Sequence, residues 1–249
     1  ENADCIVALG IKASERTFPE IPDNLIHVNI NKDVLIGDYP IHGKVEDFLD
    51  EIRFKETSWL DDILEIDNEI EIEGLDSDLK PQAAIKRILN RYCDNIIVSD
   101  AGSHTTWTTL LKKSVKPRQF LFPGAMAPMG YGLPAAIGAG IATSEKIILI
   151  NGDGDIQMNI QELATLAEEN LDVTVFVLDN GALGMVRQQQ EFLFSKTYSA
   201  SIYGRQPNLL AIAEGFGIAT AQASNDTDGA NHDWAAVAFP PAGSGPRFI

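Results

Sequence analysis

The sequence contains the stretch IILINGDGDIQMNIQELATLAEENLDVTVFVLDNG at residues 147–181, in which two short apolar runs are each followed by acid, amide and glycine residues. Residues 146–151 and 173–178 predict two strands that are covered on both faces, as in a parallel sheet, with a helical segment between them. Asp153 and Asn180 follow these strands. Because neighbouring parallel strands end at the same edge of a sheet, we expect both side chains to face one crevice.

These polar strand ends predict a metal and diphosphate site. Asp153 and Asn180 offer carboxylate and amide oxygens, which are hard ligands suited to Mg²⁺, and Mg²⁺ commonly completes its coordination with phosphates and water. Gly152 and Gly154 would let a diphosphate approach the backbone, and the nearby helix start offers N–H groups to it. The alternative is a pair of ordinary turns, since Gly-Asp-Gly and Asp-Asn-Gly are both turn sequences. The helix–strand unit between the two motifs favours the site.

The chain as a whole predicts an α/β fold, a doubly wound parallel sheet that is preceded by part of a second α/β domain. Residues 59–80 alternate acids with isoleucine and leucine, and we interpret them as an acidic linker. The expected domains are a partial central domain at 1–58 and a cofactor-binding domain at 81–249. Within the latter, residues 159–170 predict one helix. Residues 224–235 fit a calcium loop poorly, because the first and twelfth positions lack the required ligands.

Composition excludes several function classes. The formal net charge of −17 at pH 7 argues against nucleic acid backbones and anionic membranes as partners. The sequence predicts no membrane span and no signal peptide, so the expected compartment is the cytoplasm. Cys5 and Cys93 lie far apart and form no zinc-binding pattern. Cys5 belongs to an apolar run and is predicted to be a buried core residue.

Three blocks of sequence resemble the acetohydroxyacid (acetolactate) synthase family. The first is GDGDIQMNIQELATLAEENLDVTVFVLDNGALGMVRQQQ at 152–190, in which GDG and DN correspond to that family's thiamine diphosphate motif. The second is PMGYGLPAAIGA at 128–139, and the third is PNLLAIAEGFG at 207–217. The similarity is continuous from about residue 79 to residue 217.

The resemblance implies an enzyme that uses thiamine diphosphate and Mg²⁺ to decarboxylate a small 2-keto acid such as pyruvate and to join the remaining two-carbon unit to a second 2-keto acid. It implies that Asp153 and Asn180 bind the metal through their side chains and Ala182 through its backbone carbonyl. Met129 would lie between the two cofactor rings and hold the cofactor in a bent conformer. The other cofactor-lining residues that it implies are Gly130, Gly152, Gly154, Asp155, Leu183, Gly184 and Met185.

The same resemblance implies a substrate channel beside the cofactor, bordered by Met185, Arg187 and Gln188. Gln188 and Gln189 are candidate catalytic residues together with Met129 and His104. Gln189 stands where family members that favour 2-ketobutyrate as acceptor have tryptophan, so the acceptor substrate stays open. His104, in GSHTTW near the family's GQHQMW, is either an acid–base group facing the site or a structural histidine.

The family also uses a glutamate from an N-terminal, pyrimidine-binding domain that these 249 residues do not include. That domain is expected from a partner subunit or from the rest of a longer protein, in a homo-oligomer. FAD binding is left open, since Lys12 and Arg16 fall near the family's flavin segment. Two alternatives remain: a plain 2-keto acid decarboxylase or lyase, and a non-catalytic cofactor-binding subunit. The presence of both Asp153 and Asn180 argues against the second.

Overall fold

The computed structural model describes residues 3–13, 17–18, 20–53, 72–75, 80–114, 116–124, 126–222 and 245–249. The chain divides into two compact units, Glu1–Ile70 and Glu71–Ile249. This division falls inside the predicted linker at 59–80, most of which lies outside the described residues, as do positions 224–235 and Arg16. The domain boundaries at 58 and 81 therefore stay predictions.

The first unit contains a three-stranded parallel sheet in the order β1-β2-β3. Its elements are β1 Ile6–Leu9, β2 Leu25–Asn29, β3 Tyr39–His42 and α1 Val45–Glu51. The predicted burial of Cys5 is wrong. Cys5 is exposed and its thiol donates to the carbonyl oxygen of Asn24 at 3.2 Å, because it lies just before β1 rather than within the sheet.

The second unit contains a six-stranded parallel sheet in the order β5-β4-β6-β7-β9-β8. Its strands are β4 Ile96–Ser99, β5 Phe120–Leu121, β6 Ile147–Gly152, β7 Val173–Leu178, β8 Ala219–Thr220 and β9 Arg247–Phe248. Its helices are α2 Pro81–Arg91, α3 Ser103–Leu111, α4 Gly132–Thr143, α5 Asp153–Ile156, α6 Leu163–Glu168, α7 Gly184–Leu193 and α8 Leu209–Gly215.

The central strand β6 is buried along its whole length, and its side chains contribute to two separate hydrophobic cores. Ile147 and Leu149 join the apolar cluster that includes residues of α4 and α6, whereas Ile148 and Ile150 join the cluster built on α2. Because successive side chains of a strand point to opposite faces, these clusters lie on the two sides of the sheet. The predicted doubly wound α/β fold is confirmed. None of the helices in the described ranges has the length and apolar character that a bilayer span requires.

The connection from β6 to β7 differs from the single helix predicted at 159–170. It consists of α5, a 3₁₀ stretch at Gln157–Glu162 and then α6. Asn159 has non-helical backbone angles (φ −135°, ψ 32°), and its side-chain amide donates to the carbonyl oxygen of Gly130 at 2.6 Å. The residue at which the helix is interrupted is thus the one that bonds Gly130.

The strand order places a topological switch point between β4 and β6. After β4 the chain adds β5 on one side, and then returns to add β6 on the other side of β4. Ligands of open α/β sheets bind outside the carboxyl ends of the strands at such a point. The segments that begin at Asp100 and Gly152 are therefore the walls of the expected crevice.

Candidate cofactor and metal site

A cavity of about 270 Å³ opens at the carboxyl ends of β4, β6 and β7. Asp153 and Asn180 both line it, although 27 positions separate them along the chain. The register of the sheet explains why Asp153 and Asn180 lie close together. Gly152 pairs with Leu178, and each candidate ligand follows its strand within two residues. The other lining residues named in the sequence analysis are His104, Met129, Gly152, Gly154, Asp155, Ala182, Leu183, Gly184, Met185 and Gln189.

A larger cavity of about 930 Å³ lies along α2, β7, α8 and β9. It shares Asn180 with the smaller cavity, but neither Asp153 nor any glycine of the GDG motif borders it. The smaller cavity is the candidate site, because the acid, the amide and the glycines converge only there among the described residues.

The turn that follows β7 is organised around the two candidate ligands. One carboxylate oxygen of Asp153, Oδ2, accepts a hydrogen bond from the backbone N–H of Gly181 at 3.1 Å. The side-chain oxygen of Asn180 accepts from the backbone N–H of Ala182 at 2.9 Å. Ala182 itself is buried. The three predicted metal-binding residues are thus brought together by direct contacts between the ends of β6 and β7.

The two glycines of the GDG motif are closely surrounded by other side chains. A Cβ on Gly152 would lie 2.7 Å from the Asp155 carboxylate. A Cβ on Gly154 would collide with the hydroxyl of Tyr203 and lie 3.2 Å from Cε of Met129. Both glycines line the cavity, and a backbone without Cβ atoms is the kind of surface that a diphosphate needs for close approach.

Met129 and Gly130 are held in place by the buried carboxylate of Asp100. This side chain is fully buried and accepts hydrogen bonds from the backbone N–H groups of Ala101 at 2.7 Å, Gly130 at 3.1 Å and Gly132 at 2.7 Å. The bonds tie the end of β4 to the turn that precedes α4. The Met129 side chain is thereby presented to the cavity.

The model of the thiamine pyrophosphate enzyme family, C-terminal TPP binding domain, matches residues 100–249. The chain belongs to this thiamine pyrophosphate enzyme family. Thiamine pyrophosphate is thiamine diphosphate, so the cofactor implied by the sequence blocks is that of the family.

Among the relatives are acetolactate synthases. The chain is 32% identical over 250 residues to acetolactate synthase isozyme 1 large subunit of Escherichia coli (strain K12), covering 92% of this chain and 44% of that protein. It is 34% identical over 245 residues to the probable acetolactate synthase large subunit of Methanocaldococcus jannaschii, covering 86% and 41%. It therefore spans less than half the length of these relatives. The resemblance to acetolactate synthase is confirmed.

The charges of the site fit a cation in a thiamine pyrophosphate enzyme. Burial and the nearby Asp179 carboxylate raise the pKa of Asp153 to about 6. Burial and Asp100 raise the pKa of Asp155 to about 7. A divalent cation would offset this concentration of negative charge. Across the described residues no cluster of three His, Cys, Asp or Glu side chains that could hold a metal is found.

His104 lines the cavity, but it is almost completely buried. Its Nε2 atom is buried without a hydrogen-bond partner and lies 3.7 Å from Oδ2 of Asp155, too far for a hydrogen bond. Burial lowers the pKa of His104 to about 4. The imidazole is therefore neutral at physiological pH, and a charged pair with Asp155 is disfavoured by the burial of both groups.

The predicted channel residues separate into two groups. Met185 and Gln189 line the cavity from α7, whereas Arg187 and Gln188 do not line it; Gln189 is exposed, as are Arg187 and Gln188. The roles assigned to all four stay predictions. Lys12 is exposed in the first unit, and FAD binding likewise stays an expectation.

Three further residues at the site were not predicted from sequence. Asp100 follows β4 and could have been found from its position after a buried apolar run, by the same signal that identified Asp153. Tyr203 and Gln206 belong to a polar segment with no periodic pattern, and no local signal indicated that they return to the GDG motif.

The lowered pKa of His104 predicts a pH dependence of stability. The imidazole of His104 takes up a proton near its ordinary pKa of 6.5 in the unfolded chain, but only near 4 in the folded chain. The contribution of His104 to the free energy of unfolding is therefore complete above pH 6.5 and is lost as the pH falls towards 4. The difference corresponds to roughly 3 kcal/mol. The free energy of unfolding of the wild type relative to His104→Gln should fall by up to about that amount between pH 6.5 and 4.

Urea titrations of both cofactor-free proteins at several pH values measure this difference. The raised carboxyl pKa values of Asp153 and Asp155 act in the opposite direction, because they add stability as the pH falls through 7, but they are present in both proteins. A difference that does not change with pH would mean that His104 titrates alike in the folded and unfolded chains.

Proposed function

We propose that this protein provides the cofactor-binding part of an acetolactate synthase-type enzyme. In this proposal it binds thiamine diphosphate with Mg²⁺, decarboxylates pyruvate and joins the two-carbon unit to a second 2-keto acid. The observation that carries the proposal is the placement of Asp153, Asn180 and Met129 on one cavity at the switch point of the sheet. The names of the relatives support the class of reaction.

The donor set at the strand ends supports the metal assignment. Asp153 and Asn180 would bind Mg²⁺ through side-chain oxygens and Ala182 through its carbonyl, and phosphate and water oxygens would complete the coordination. Gly152 and Gly154 would lie along the diphosphate, because both glycines line the cavity and neither carries a Cβ. Gly130, Asp155, Leu183 and Gly184 would complete the surroundings of the cofactor.

The cofactor, when bound, supplies the electron sink that stabilises negative charge next to the keto carbon. The protein's part is to orient it. Met129 is fixed by the Asp100-bonded turn and lies against Gly154, so it would support the bent conformer from the sheet side. Met185 and Gln189, which follow on α7, would form the wall against which the substrates lie.

The proposal also includes a partner. The relatives are named as large subunits, and each is more than twice as long as the matched region. We propose that a pyrimidine-binding domain, supplied by the rest of a longer protein or by another subunit of a homo-oligomer, meets the other end of the cofactor.

The reaction is tested by its product. The assembled enzyme, given pyruvate, thiamine diphosphate and Mg²⁺, should form acetolactate. Chromatographic separation of acetolactate from acetaldehyde is the measurement. Acetaldehyde as the sole product would show a decarboxylase, and no consumption of pyruvate would indicate a cofactor-binding subunit without catalysis.

The metal assignment is tested by substitution of the acid. Asp153→Ala removes the only charged ligand proposed, so Mg²⁺-dependent binding of thiamine diphosphate should be lost. Titration calorimetry with and without a chelator measures it. Glu168→Ala, which removes an exposed acid of α6, is the matched control and should bind as the wild type does. Unchanged cofactor affinity in Asp153→Ala would remove the basis for the metal site.

The acceptor preference is tested at Gln189. An amide wall should disfavour the longer apolar acceptor, and one methylene in an apolar pocket is worth roughly 1–3 kcal/mol. Gln189→Trp should therefore raise the ratio of 2-ketobutyrate-derived to pyruvate-derived product by about tenfold or more. A competition assay with both keto acids gives the ratio. Leu193→Trp adds the same bulk at an exposed position of α7 and should leave the ratio unchanged.

A ratio that stays constant in Gln189→Trp while cofactor affinity falls would place Gln189 in the cofactor site instead. Calorimetry on the same variant separates these two outcomes.

A further inference from the structure

The segment at residues 199–206, here called the returning segment, runs back along the metal motif. The backbone N–H of Leu183 donates to the carbonyl oxygen of Ser201 at 2.8 Å, and the N–H of Tyr203 donates to that of Gly181 at 2.9 Å. Ala182 and Ile202 form an antiparallel bridge between these bonds. The returning segment therefore adds a short stretch of sheet-like pairing to the turn that carries the candidate metal ligands.

A glutamine of α7 fastens the beginning of the returning segment. The side chain of Gln190 donates to the carbonyl oxygen of Ser199 at 2.9 Å, and it accepts from the backbone N–H of Ser199 at 3.3 Å and from the hydroxyl of Ser201 at 2.5 Å. The backbone hydrogen bonds and those of Gln190 together fix the path of the returning segment. Tyr203 is thereby placed against Gly154.

The end of the returning segment reaches the buried acid of the GDG motif. The side-chain amide of Gln206 donates to Oδ2 of Asp153 at 2.5 Å. This is the same oxygen that accepts from the backbone N–H of Gly181. Two N–H donors on one oxygen restrict rotation of the carboxylate, and they leave acceptor capacity on the group, because a carboxylate offers about four lone-pair positions.

The hydrogen bond from Gln206 also stabilises the charged form of Asp153. Asp153 is 2% exposed and lies near enough to Asp179 for the two carboxylates to repel each other. A neutral donor stabilises the charged form of Asp153 without competing as a cation would. Carboxylates that bind metals are commonly oriented by hydrogen bonds of this kind.

We propose that Gln206 is a positioning residue for the metal site: its amide N–H orients the Asp153 carboxylate, and through it the affinity for Mg²⁺ depends on the placement of the returning segment. The inference rests on the proposed function, since it takes Asp153 as a metal ligand. It assigns to the returning segment, which carries no part of the GDG or DN motifs, a share in binding the cation.

The experiment measures the affinity of the intact protein for Mn²⁺, used as a paramagnetic probe of the Mg²⁺ site, in the presence of thiamine diphosphate. Gln206→Leu removes the donor and keeps a side chain of similar size. Loss of a hydrogen bond to a metal ligand typically lowers metal affinity about 10–100-fold, and we expect a decrease in that range. Gln161→Leu makes the same change at an exposed position and should bind as the wild type does.

A second readout distinguishes positioning from general damage. Raising the metal concentration by the factor lost should restore thiamine diphosphate binding in Gln206→Leu, because the cofactor's own contacts are intact. Failure of that rescue would show that the substitution disrupts the site as a whole and would overturn the proposal. Thermal unfolding of the cofactor-free variant checks that it is folded.

Gln206→Glu tests the alternative that the amide binds the cation directly through its oxygen. Glutamate at this position has no N–H to donate, so it should not restore the affinity lost in Gln206→Leu. Binding tighter than that of the wild type would identify position 206 as a direct ligand and overturn the positioning role.

Failure of the inference is distinguishable from failure of the proposed function. If the wild type binds the metal, Asp153→Ala does not and Gln206→Leu binds as the wild type does, then only the role of Gln206 is wrong. If the wild type binds neither metal nor cofactor, both the proposed function and the inference that rests on it are wrong.

Discussion

The parallel pairing of β6 with β7 is the constraint on which the site depends. It brings Gly152 beside Leu178, so that two polar turns from separate parts of the chain end at one edge of the sheet. Every other feature of the site is built around that edge. Burial of both strands maintains the pairing, because β6 contributes apolar side chains to the clusters on either face of the sheet. A slip of register would exchange those faces and separate Asp153 from Asn180.

A second buried carboxylate holds the turn that carries Met129 at the same cavity. Asp100 accepts hydrogen bonds from the turn that carries Met129 and Gly130, and a Cβ on Gly132 would lie 2.9 Å from both that carboxylate and a methyl group of Leu149. The tight fit of α4 against the sheet thus depends on small residues and on one acid. The burial that gives Asp100 its fixed position also raises its pKa, although backbone hydrogen bonds partly offset that rise.

The site concentrates unfavourable interactions in a small volume. Asp153 and Asp155 are buried close to other acids, and His104 has an unpaired ring nitrogen. In a structural core such groups would be a liability. Here they lie at the carboxyl edge of the sheet beside a cavity, in an arrangement that a cation and its phosphate ligands would stabilise.

The sequence by itself determined the two strands of the site and the candidate ligands that follow them. Apolar runs of strand length, the glycines of GDG and the acid and amide after each run were sufficient to predict β6, β7 and the convergence of Asp153 with Asn180, because the period of burial and the geometry of parallel strands are local properties.

Only the tertiary structure decided which residues complete the site. Asn159 interrupts the predicted helix by bonding Gly130, 29 positions earlier, and Gln206 reaches Asp153 from 53 positions later. It is also the tertiary structure that places Gln189, and not its neighbour Gln188, at the cavity, although both side chains are exposed. The segment that carries Gln206 has no periodic pattern in its own sequence, and the periodic pattern around Asn159 gave no sign of the bond to Gly130. These contacts are fixed by how the sheet and its helices pack, and that depends on the whole chain rather than on any window of it.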